Sequence, residues 1–241
     1  MNYLEMVSRL GLGSAHPGGF TATIDQLNRY QPITNEAILE IGCGTGRTAC
    51  YLANKGYQVI AIDINPDNLD KAKKRAKEMG LHVDFLLADA HALPFPDETF
   101  EIILVESVTN FTQAKQSLTE YYRVLKPGGI LYDREMFVRY SVPSETLSDF
   151  QSFFQMPSMM RKDEWSSLLT ASGFVQIEFL EISDLNDEKL GQQFEYPDDY
   201  QFIDEGVLLD NEIMECAIRS SNMIIDNKEY LEFGIMRATK G

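Results

Sequence analysis

The segment Glu40-Ile41-Gly42-Cys43-Gly44-Thr45-Gly46 decides the fold, because it stands between an apolar run and a helical pattern. The run over residues 37–41 predicts a buried strand, and residues 47–54 predict the helix that follows. Glycines at such a junction let the chain turn tightly, let a ligand approach the backbone and leave helix N-terminal amides free to donate. The segment therefore predicts a ligand-binding turn, with a tight turn that binds nothing as the alternative.

Asp63 supports a bound ligand, because it ends the second predicted strand at residues 58–63. A carboxylate at this place can accept hydrogen bonds from both hydroxyls of a ribose. For Asp63 alone, a solvated strand end or a helix cap is an equally good explanation. Together with the glycine turn, it indicates a ligand that contains adenosine.

Apolar runs and helical patterns alternate along most of the chain, which is typical of parallel strands joined by crossover helices. Strands are predicted at residues 37–41, 58–63, 83–87, 101–105, 130–137, 174–182 and 230–238. Helices are predicted at residues 47–54, 66–79, 113–125, 162–171 and 211–223.

The spacing of the glycines distinguishes between adenosine cofactors. The turn reads GxGxG, whereas a dinucleotide site needs GxGxxG to seat a pyrophosphate on the helix N-terminus. Glu40, just before the turn, would repel a pyrophosphate and would attract a ligand with an ammonium and a sulfonium group. S-adenosylmethionine is such a ligand, and a nicotinamide cofactor is disfavoured.

Over residues 35–137 the chain resembles the class I S-adenosylmethionine-dependent methyltransferases, in particular the small-molecule branch with the ubiquinone and menaquinone biosynthesis enzymes. Four blocks carry the resemblance: ILEIGCGTGRTACYLA, VIAIDIN, FLLADAHALPFPDETFEIILVES and RVLKPGGILYDREMF. They stand in the order and spacing of the family.

The resemblance implies nine cofactor-binding residues. It implies that one group lines the methionine end, namely Glu40, Gly42, Cys43, Gly44 and Glu106. It implies that a second group holds the ribose and adenine, namely Asp63, Ile64, Asp89 and Ala90. An Asx turn is the alternative for Asp89.

The resemblance also implies a Rossmann-like, doubly wound α/β fold with a seven-stranded sheet whose last strand is antiparallel. We expect a single domain over residues 1–241. In it, residues 1–34 form N-terminal lid helices, 35–140 the cofactor-binding core, and 141–241 a substrate-side segment that completes the sheet. An acidic insertion over about 184–229 is expected to pack over the sheet, and a solvated face is its alternative.

Methyl transfer from a sulfonium is an in-line displacement, so a protein mainly aligns the acceptor and excludes water, and a general base is optional. Candidate acceptor-side residues are Tyr3, His16, Phe20, Glu135 and Tyr140. A surface or turn position is the alternative for His16. The Met and Phe side chains over residues 150–160 indicate either an apolar acceptor pocket or ordinary core.

Composition limits the partners. With Lys+Arg 21 against Asp+Glu 37, the net charge of −16 repels nucleic acid and anionic lipid, so neither is expected as a partner. No signal peptide and no apolar run of about 18 residues is present, so no membrane association is expected. Three scattered cysteines, Cys43, Cys50 and Cys216, indicate a reducing cytoplasm and no metal site.

These observations favour an S-adenosylmethionine-dependent enzyme acting on a small molecule. The alternative is a protein that binds the same cofactor without turnover and regulates a partner, with the acidic block as its interaction face.

Overall fold

The structure is a computed structural model that describes residues 1–186 and 195–241. Its centre is a seven-stranded sheet with the strand order β3-β2-β1-β4-β5-β7-β6. Neighbouring strands from β3 to β5 are parallel, and β7 runs antiparallel to both β5 and β6. The α/β fold with an antiparallel last strand, expected from the sequence, is confirmed.

The strands are β1 (Ile38–Ile41), β2 (Val59–Asp63), β3 (Asp84–Leu87), β4 (Phe100–Glu106), β5 (Leu125–Val138), β6 (Phe174–Asp184) and β7 (Leu231–Lys240). The α-helices in the described part are α1 (Tyr3–Arg9), α2 (Gly19–Arg29), α3 (Arg47–Asn54), α4 (Pro66–Glu78), α5 (Ala114–Val124), α6 (Ser144–Phe154), α7 (Lys162–Ala171) and α8 (Asn211–Asp226). Short 3-10 helices lie at Thr109–Phe111, Val207–Leu209 and Lys228–Tyr230.

Helices pack on both faces of the sheet. Successive residues of a strand point to opposite faces, so each face buries its own set of apolar side chains. Leu39 and Ile41 of β1 pack on one face with residues of α5 and α7, such as Trp165. Ile38 of the same strand packs on the other face with residues of α2, α3 and α4, such as Leu69. The central strands therefore read as continuous apolar runs.

Two elements differ from the sequence expectation. Strand β5 begins at Leu125 and not at residue 130 as predicted, because Leu125 pairs with Phe100 and a register shift follows before Ile102. Helix α6 was not predicted. It starts after Pro143 without a side-chain cap and ends at Gln155 in the left-handed conformation, so it lacks the usual start and stop residues.

The expected insertion follows β6, and its residues 187–194 lie outside the described part. Its helix α8 contacts α1 through an apolar cluster that includes Met6, Ile213 and Cys216. Farther along α8, Met223 and Ile224 pack against the ends of β5 and β7. The insertion thus covers the N-terminal helix as much as the sheet, whereas the sequence indicated only the sheet.

Candidate functional site

A cavity of about 890 Å³, here called the main cavity, opens at the C-terminal ends of β1, β2 and β4. The strand order reverses between β1 and β4, and ligands of doubly wound folds bind at this kind of crevice. All nine residues that the sequence assigned to the cofactor line it: Glu40, Gly42, Cys43, Gly44, Asp63, Ile64, Asp89, Ala90 and Glu106.

The glycine turn needs its glycines for two different reasons. Gly42 has φ +69°, and a Cβ there would lie 2.2 Å from Cγ2 of Val108, so the turn packs tightly against the loop after β4. Gly44 has φ +53°, and a Cβ there would meet nothing within 4 Å. The backbone at Gly44 therefore borders open space in the main cavity, where a ligand can approach it.

Asp63 ties the glycine turn to β2. Its Oδ2 accepts from the Gly44 amide at 2.8 Å, and its Oδ1 accepts from the Asn65 amide at 2.8 Å. Burial raises the pKa of Asp63, while these hydrogen bonds act in the opposite direction. Each carboxylate oxygen keeps further acceptor capacity, so Asp63 is held in place at the cavity wall and can still accept from a ligand.

Glu40 is the least satisfied group of the site. It is 4% exposed, and its Oε2 is buried without a hydrogen-bond partner in the described part of the chain. Burial raises the pKa of Glu40 well above its usual range, and the charges of Glu106 and Asp63 raise it further. An unpaired buried carboxyl is costly, and a cationic ligand group would relieve that cost.

Glu106, at the end of β4, is held by two hydroxyls and two basic groups. Thr23 donates to Oε1 at 2.6 Å and Thr48 donates to Oε2 at 2.7 Å. Nε2 of His16 lies 3.7 Å and Nε of Arg134 lies 3.9 Å from Oε1. Burial alone would raise the pKa of Glu106, but His16, Arg134 and the hydroxyls outweigh it and lower the pKa.

Both ring nitrogens of His16 lie beside oxygen atoms. Thr23 has one hydroxyl proton, which it donates to Glu106, so its oxygen accepts from Nε2 of His16 at 3.2 Å. Nδ1 lies 3.4 Å from the carbonyl oxygen of Pro17, which can only accept a hydrogen bond. Burial lowers the pKa of His16 more than Glu106 raises it.

Asp89 forms the Asx turn that the sequence left open as an alternative, because its Oδ1 accepts from the His91 amide at 2.9 Å. The Gln113 amide donates to Nε2 of His91, so Nδ1 carries the proton and donates to Asp89 at 2.7 Å. Asp89 still lines the main cavity, as does His91.

Of the five acceptor-side candidates, Tyr3 and His16 line the main cavity. Phe20 does not, because its ring packs under the Arg47 guanidinium at 4.0 Å and edge-on against Tyr51. Tyr140 is 78% exposed and contacts Arg161, away from the cavity.

Glu135 lies behind the site and does not line it. It is fully buried, and its Oε1 accepts from the amides of Val108 and Asn110. Burial raises the pKa of Glu135 well above its usual range, and the charge of Asp133 raises it further. Glu135 therefore fixes the loop between β4 and α5 that forms part of the cavity wall.

Several residues at or beside the main cavity were not singled out in the sequence. Ser107, Phe111, Thr48 and Asp204 line it, and Thr23 contacts Glu106 from α2. Thr48 alone carried a signal, as a polar residue on the otherwise apolar buried face of α3. Ser107 and Phe111 follow β4, Asp204 lies in the insertion and Thr23 lies in α2, and no periodic pattern pointed to any of them.

Residues 1–186 and 195–241 contain no group of three or more His, Cys, Asp or Glu side chains that could hold a metal ion. Among their helices, none is long and apolar enough to cross a membrane.

Comparison with known proteins gives consistent matches. A family model described as a methyltransferase domain matches residues 39–133. The uncharacterized methyltransferase YodH of Bacillus subtilis is 37% identical over 180 residues, which cover 75% of this chain and 77% of that protein. The O-methyltransferase rstn1 of Aspergillus nomiae is 32% identical over 161 residues, covering 65% of this chain and 72% of the relative.

Two further matches cover only part of a protein or show the fold alone. The demethylmenaquinone methyltransferase of Thermus thermophilus is 42% identical over 97 residues, or 39% of this chain and 44% of that protein. The solved structure of Haemonchus contortus phosphoethanolamine N-methyltransferase 2 with S-adenosyl-L-methionine superposes with a TM-score of 0.76 at 21% identity. It matches 98% of this chain, which spans only 57% of that longer one.

Proposed function

The chain belongs to the class I S-adenosylmethionine-dependent methyltransferases, and we propose that it transfers the methyl group to a small-molecule acceptor. The observation that carries the proposal is the Glu40 carboxyl, which lines the main cavity and whose Oε2 is buried without a hydrogen-bond partner in the described part of the chain. A cationic group bound there would pair with it.

The residues present fit the cofactor along the whole main cavity. Glu40 would hold its ammonium group, the open backbone at Gly44 would lie against its amino-acid part, and Asp63 would accept from the ribose hydroxyls. Ile64 and Ala90 would pack against the adenine, with Asp89 at its polar edge, and Cys43 and Glu106 would lie near the methionine end. When bound, the cofactor supplies a methyl group on a sulfonium, an activated leaving group.

The residues of this chain then have two tasks, alignment of the acceptor and exclusion of water. We propose that residues 1–34 act as the lid, since Tyr3 of α1 and the segment from Leu12 to His16 line the main cavity. The insertion contacts both this lid and helix α4, because Asp204 pairs with Arg9 of α1 and with Lys71 of α4.

The proposal of a small-molecule acceptor rests on the net charge of the chain and on its relatives. The net charge of −16 disfavours nucleic acid, and relatives include a named O-methyltransferase and a demethylmenaquinone methyltransferase. The match to the latter covers only the cofactor core, so it supports the ubiquinone and menaquinone branch weakly. A cytoplasmic location is also proposed, because Cys43, Cys50 and Cys216 are all buried free thiols.

Transfer of a labelled methyl group tests the proposal. The purified protein is incubated with cofactor labelled in the methyl carbon and a panel of hydroxylated, carboxylated and amino metabolites. We expect label in a small acceptor. If the protein binds the cofactor but transfers no label to any metabolite in a cell extract, the non-catalytic alternative is favoured.

A pair of glycine variants provides the matched control. Gly44 and Gly80 both have positive φ, +53° and +66°, and a Cβ at either meets nothing within 4 Å, but only Gly44 lines the main cavity. Gly44→Ala and Gly80→Ala should each destabilise the fold by about 1 kcal/mol. Only Gly44→Ala should lose methyl transfer, and equal transfer by both variants would contradict the assigned site.

A further inference from the structure

Helix α1 forms one wall of the main cavity along its whole length. Six of its seven residues line that cavity, and the other one, Met6, packs in an apolar cluster with residues of α8. An isolated helix of fewer than about 12 residues is unstable in water, so α1 is held in place by its contacts with the rest of the chain. Those contacts therefore decide how firmly this wall stays beside a ligand in the main cavity.

The N-terminal part of α1 is held by apolar packing. The Tyr3 ring lies edge-on to the ring of Phe154, with 4.9 Å between the ring centroids. Met6 packs against Val207 and Ile213 of the insertion. Contacts of this kind depend on buried apolar area and not on charge, so salt does not screen them.

The C-terminal end of α1 is bonded to helix α4 and to the residue before it. Nδ2 of Asn65 donates to Oγ of Ser8 at 3.2 Å, and Nζ of Lys71 donates to the Ser8 carbonyl at 2.5 Å. The backbone amide of Asn65 donates in turn to Asp63, the residue assigned to the ribose. The end of α1 is thus connected to the cofactor-binding residues through Asn65.

A segment of the insertion, residues 201–204 and here called the strap, runs along the end of α1. The backbone amide of Asp204 donates to the Arg9 carbonyl at 3.0 Å. Nε2 of Gln201 donates to the Leu10 carbonyl at 2.8 Å. The strap therefore satisfies carbonyl groups at the C-terminus of α1, where a helix has no partners of its own for them.

The carboxylate of Asp204 joins α1, α4 and the strap. Its Oδ1 lies 2.6 Å from Nζ of Lys71, and its Oδ2 lies 3.9 Å from Nε of Arg9. The pair with Arg9 is long and partly exposed, so it contributes little by itself. The Lys71 side chain is only 12% exposed, and its ammonium is compensated by Asp204 and by the Ser8 carbonyl. Asp204 therefore acts on α1 mainly through Lys71.

We propose that Asp204 is a positioning residue that keeps the C-terminal end of α1 closed against the main cavity and thereby slows the release of the cofactor. This inference rests on the proposed function, in which the cofactor occupies the main cavity. Asp204 acts through Lys71, Arg9 and α1, and not by contact with the reacting atoms. A wall that stays closed also excludes water during methyl transfer.

The rate of release of S-adenosylhomocysteine tests this role. The full chain is loaded with the tritium-labelled compound, and an excess of unlabelled compound displaces it. Asp204→Asn should raise koff about tenfold without lowering kon, because it removes the charge that holds Lys71. Glu205→Gln is the matched control, since Glu205 is the exposed neighbour, does not line the main cavity and loses the same charge. An unchanged koff in Asp204→Asn, or an equal rise in both variants, overturns the proposal.

A second pair of variants separates positioning from direct contact, because Asp204 itself lines the main cavity and Lys71 does not. Lys71→Gln should also raise koff, whereas Lys73→Gln, at an exposed position of the same helix, should not. The double variant of Asp204→Asn and Lys71→Gln should release the compound no faster than the faster single variant, because both changes break one contact. Direct contact of Asp204 with the cofactor predicts additive effects, and additive effects would refute the positioning role.

Salt provides a readout that a purely structural role would not change. Raising NaCl from about 0.02 M to about 0.5 M should increase koff of the unaltered protein, because screening weakens a partly exposed ion pair. The increase should be smaller in Asp204→Asn, and an equal increase in both proteins contradicts the proposal. A variant that fails to fold binds less labelled compound, which is measured separately from the rate. Failure of S-adenosylhomocysteine to bind the unaltered protein would contradict the proposed function, whereas binding with an unchanged koff in Asp204→Asn would contradict this inference alone.

Discussion

At the scale of single residues, Glu40 shows a conflict between stability and binding. Its carboxyl is buried, repelled by Glu106 and Asp63, and lacks a partner for one oxygen in the described part of the chain. Such groups destabilise a fold and are found where a ligand needs them. The same atoms that cost free energy of folding would hold the cationic end of the cofactor.

Glu40→Gln separates the two effects. The amide keeps the shape, removes the repulsion with Glu106 and Asp63, and should raise the free energy of unfolding by about 1 kcal/mol. Urea denaturation at pH 7 measures it. A loss of stability would mean that the carboxylate is paired in the native protein.

The sequence was informative where a residue belongs to a strand end of the sheet. Asp63 and Glu106 end β2 and β4, Glu40 is the next-to-last residue of β1, and parallel strands bring their C-terminal ends to one edge. It was uninformative where a side chain can turn inward or outward. Glu135 lies within β5 and is buried in the core, and Tyr140 lies just past the end of β5 in solvent.

At the scale of elements, the buried Arg75 links the insertion to the cofactor core. Arg75 of α4 forms a two-pronged pair with Asp198 at 2.6 and 2.7 Å, and its Nε donates to the Thr45 carbonyl in the glycine turn at 2.8 Å. Asp198 has its pKa lowered, because the pairing with Arg75 and Arg47 outweighs the effect of burial.

Asp198→Asn should therefore destabilise the protein by about 2 kcal/mol, because it leaves the buried Arg75 charge without its counter-ion. Asp199→Asn is the matched control, since Asp199 is the exposed neighbour on the same segment. Urea denaturation of both variants provides the comparison. Equal free energies of unfolding in the two variants would show that the Arg75–Asp198 ion pair contributes no net stability.

No pattern in the sequence predicted this connection. The strands and crossover helices have periodic apolar faces, so most of their positions followed from the sequence. The contact of Asp198 with Arg75 joins residues far apart in the chain, and α6 lacks ordinary caps. Long-range ion pairs and uncapped helices leave no local signal.

At the scale of the whole molecule, buried acids set the pH dependence of stability. Burial raises the pKa of Asp133 to about 7, and burial also raises those of Glu40 and Glu135. The folded protein thus binds more protons than the unfolded chain above about pH 4, and its stability falls as pH rises through these raised values.

We predict that the free energy of unfolding is lower at pH 8 than at pH 5. Glu106 and Asp198 act oppositely, since their lowered pKa values stabilise the fold above their unfolded pKa, a contribution lost in acid. Asp133→Asn should reduce the loss between pH 5 and pH 8 by about 2 kcal/mol. Urea midpoints measured across this range would contradict the account if they rose steadily with pH.

The measurement that tests the central claim most directly is calorimetric titration of the protein with S-adenosylhomocysteine, with NADH as the control ligand. The account predicts binding of S-adenosylhomocysteine on the order of micromolar, at least about tenfold weaker binding by Glu40→Gln, and no binding of NADH. Binding of NADH alone, or an unchanged affinity in Glu40→Gln, would contradict the assignment of the main cavity.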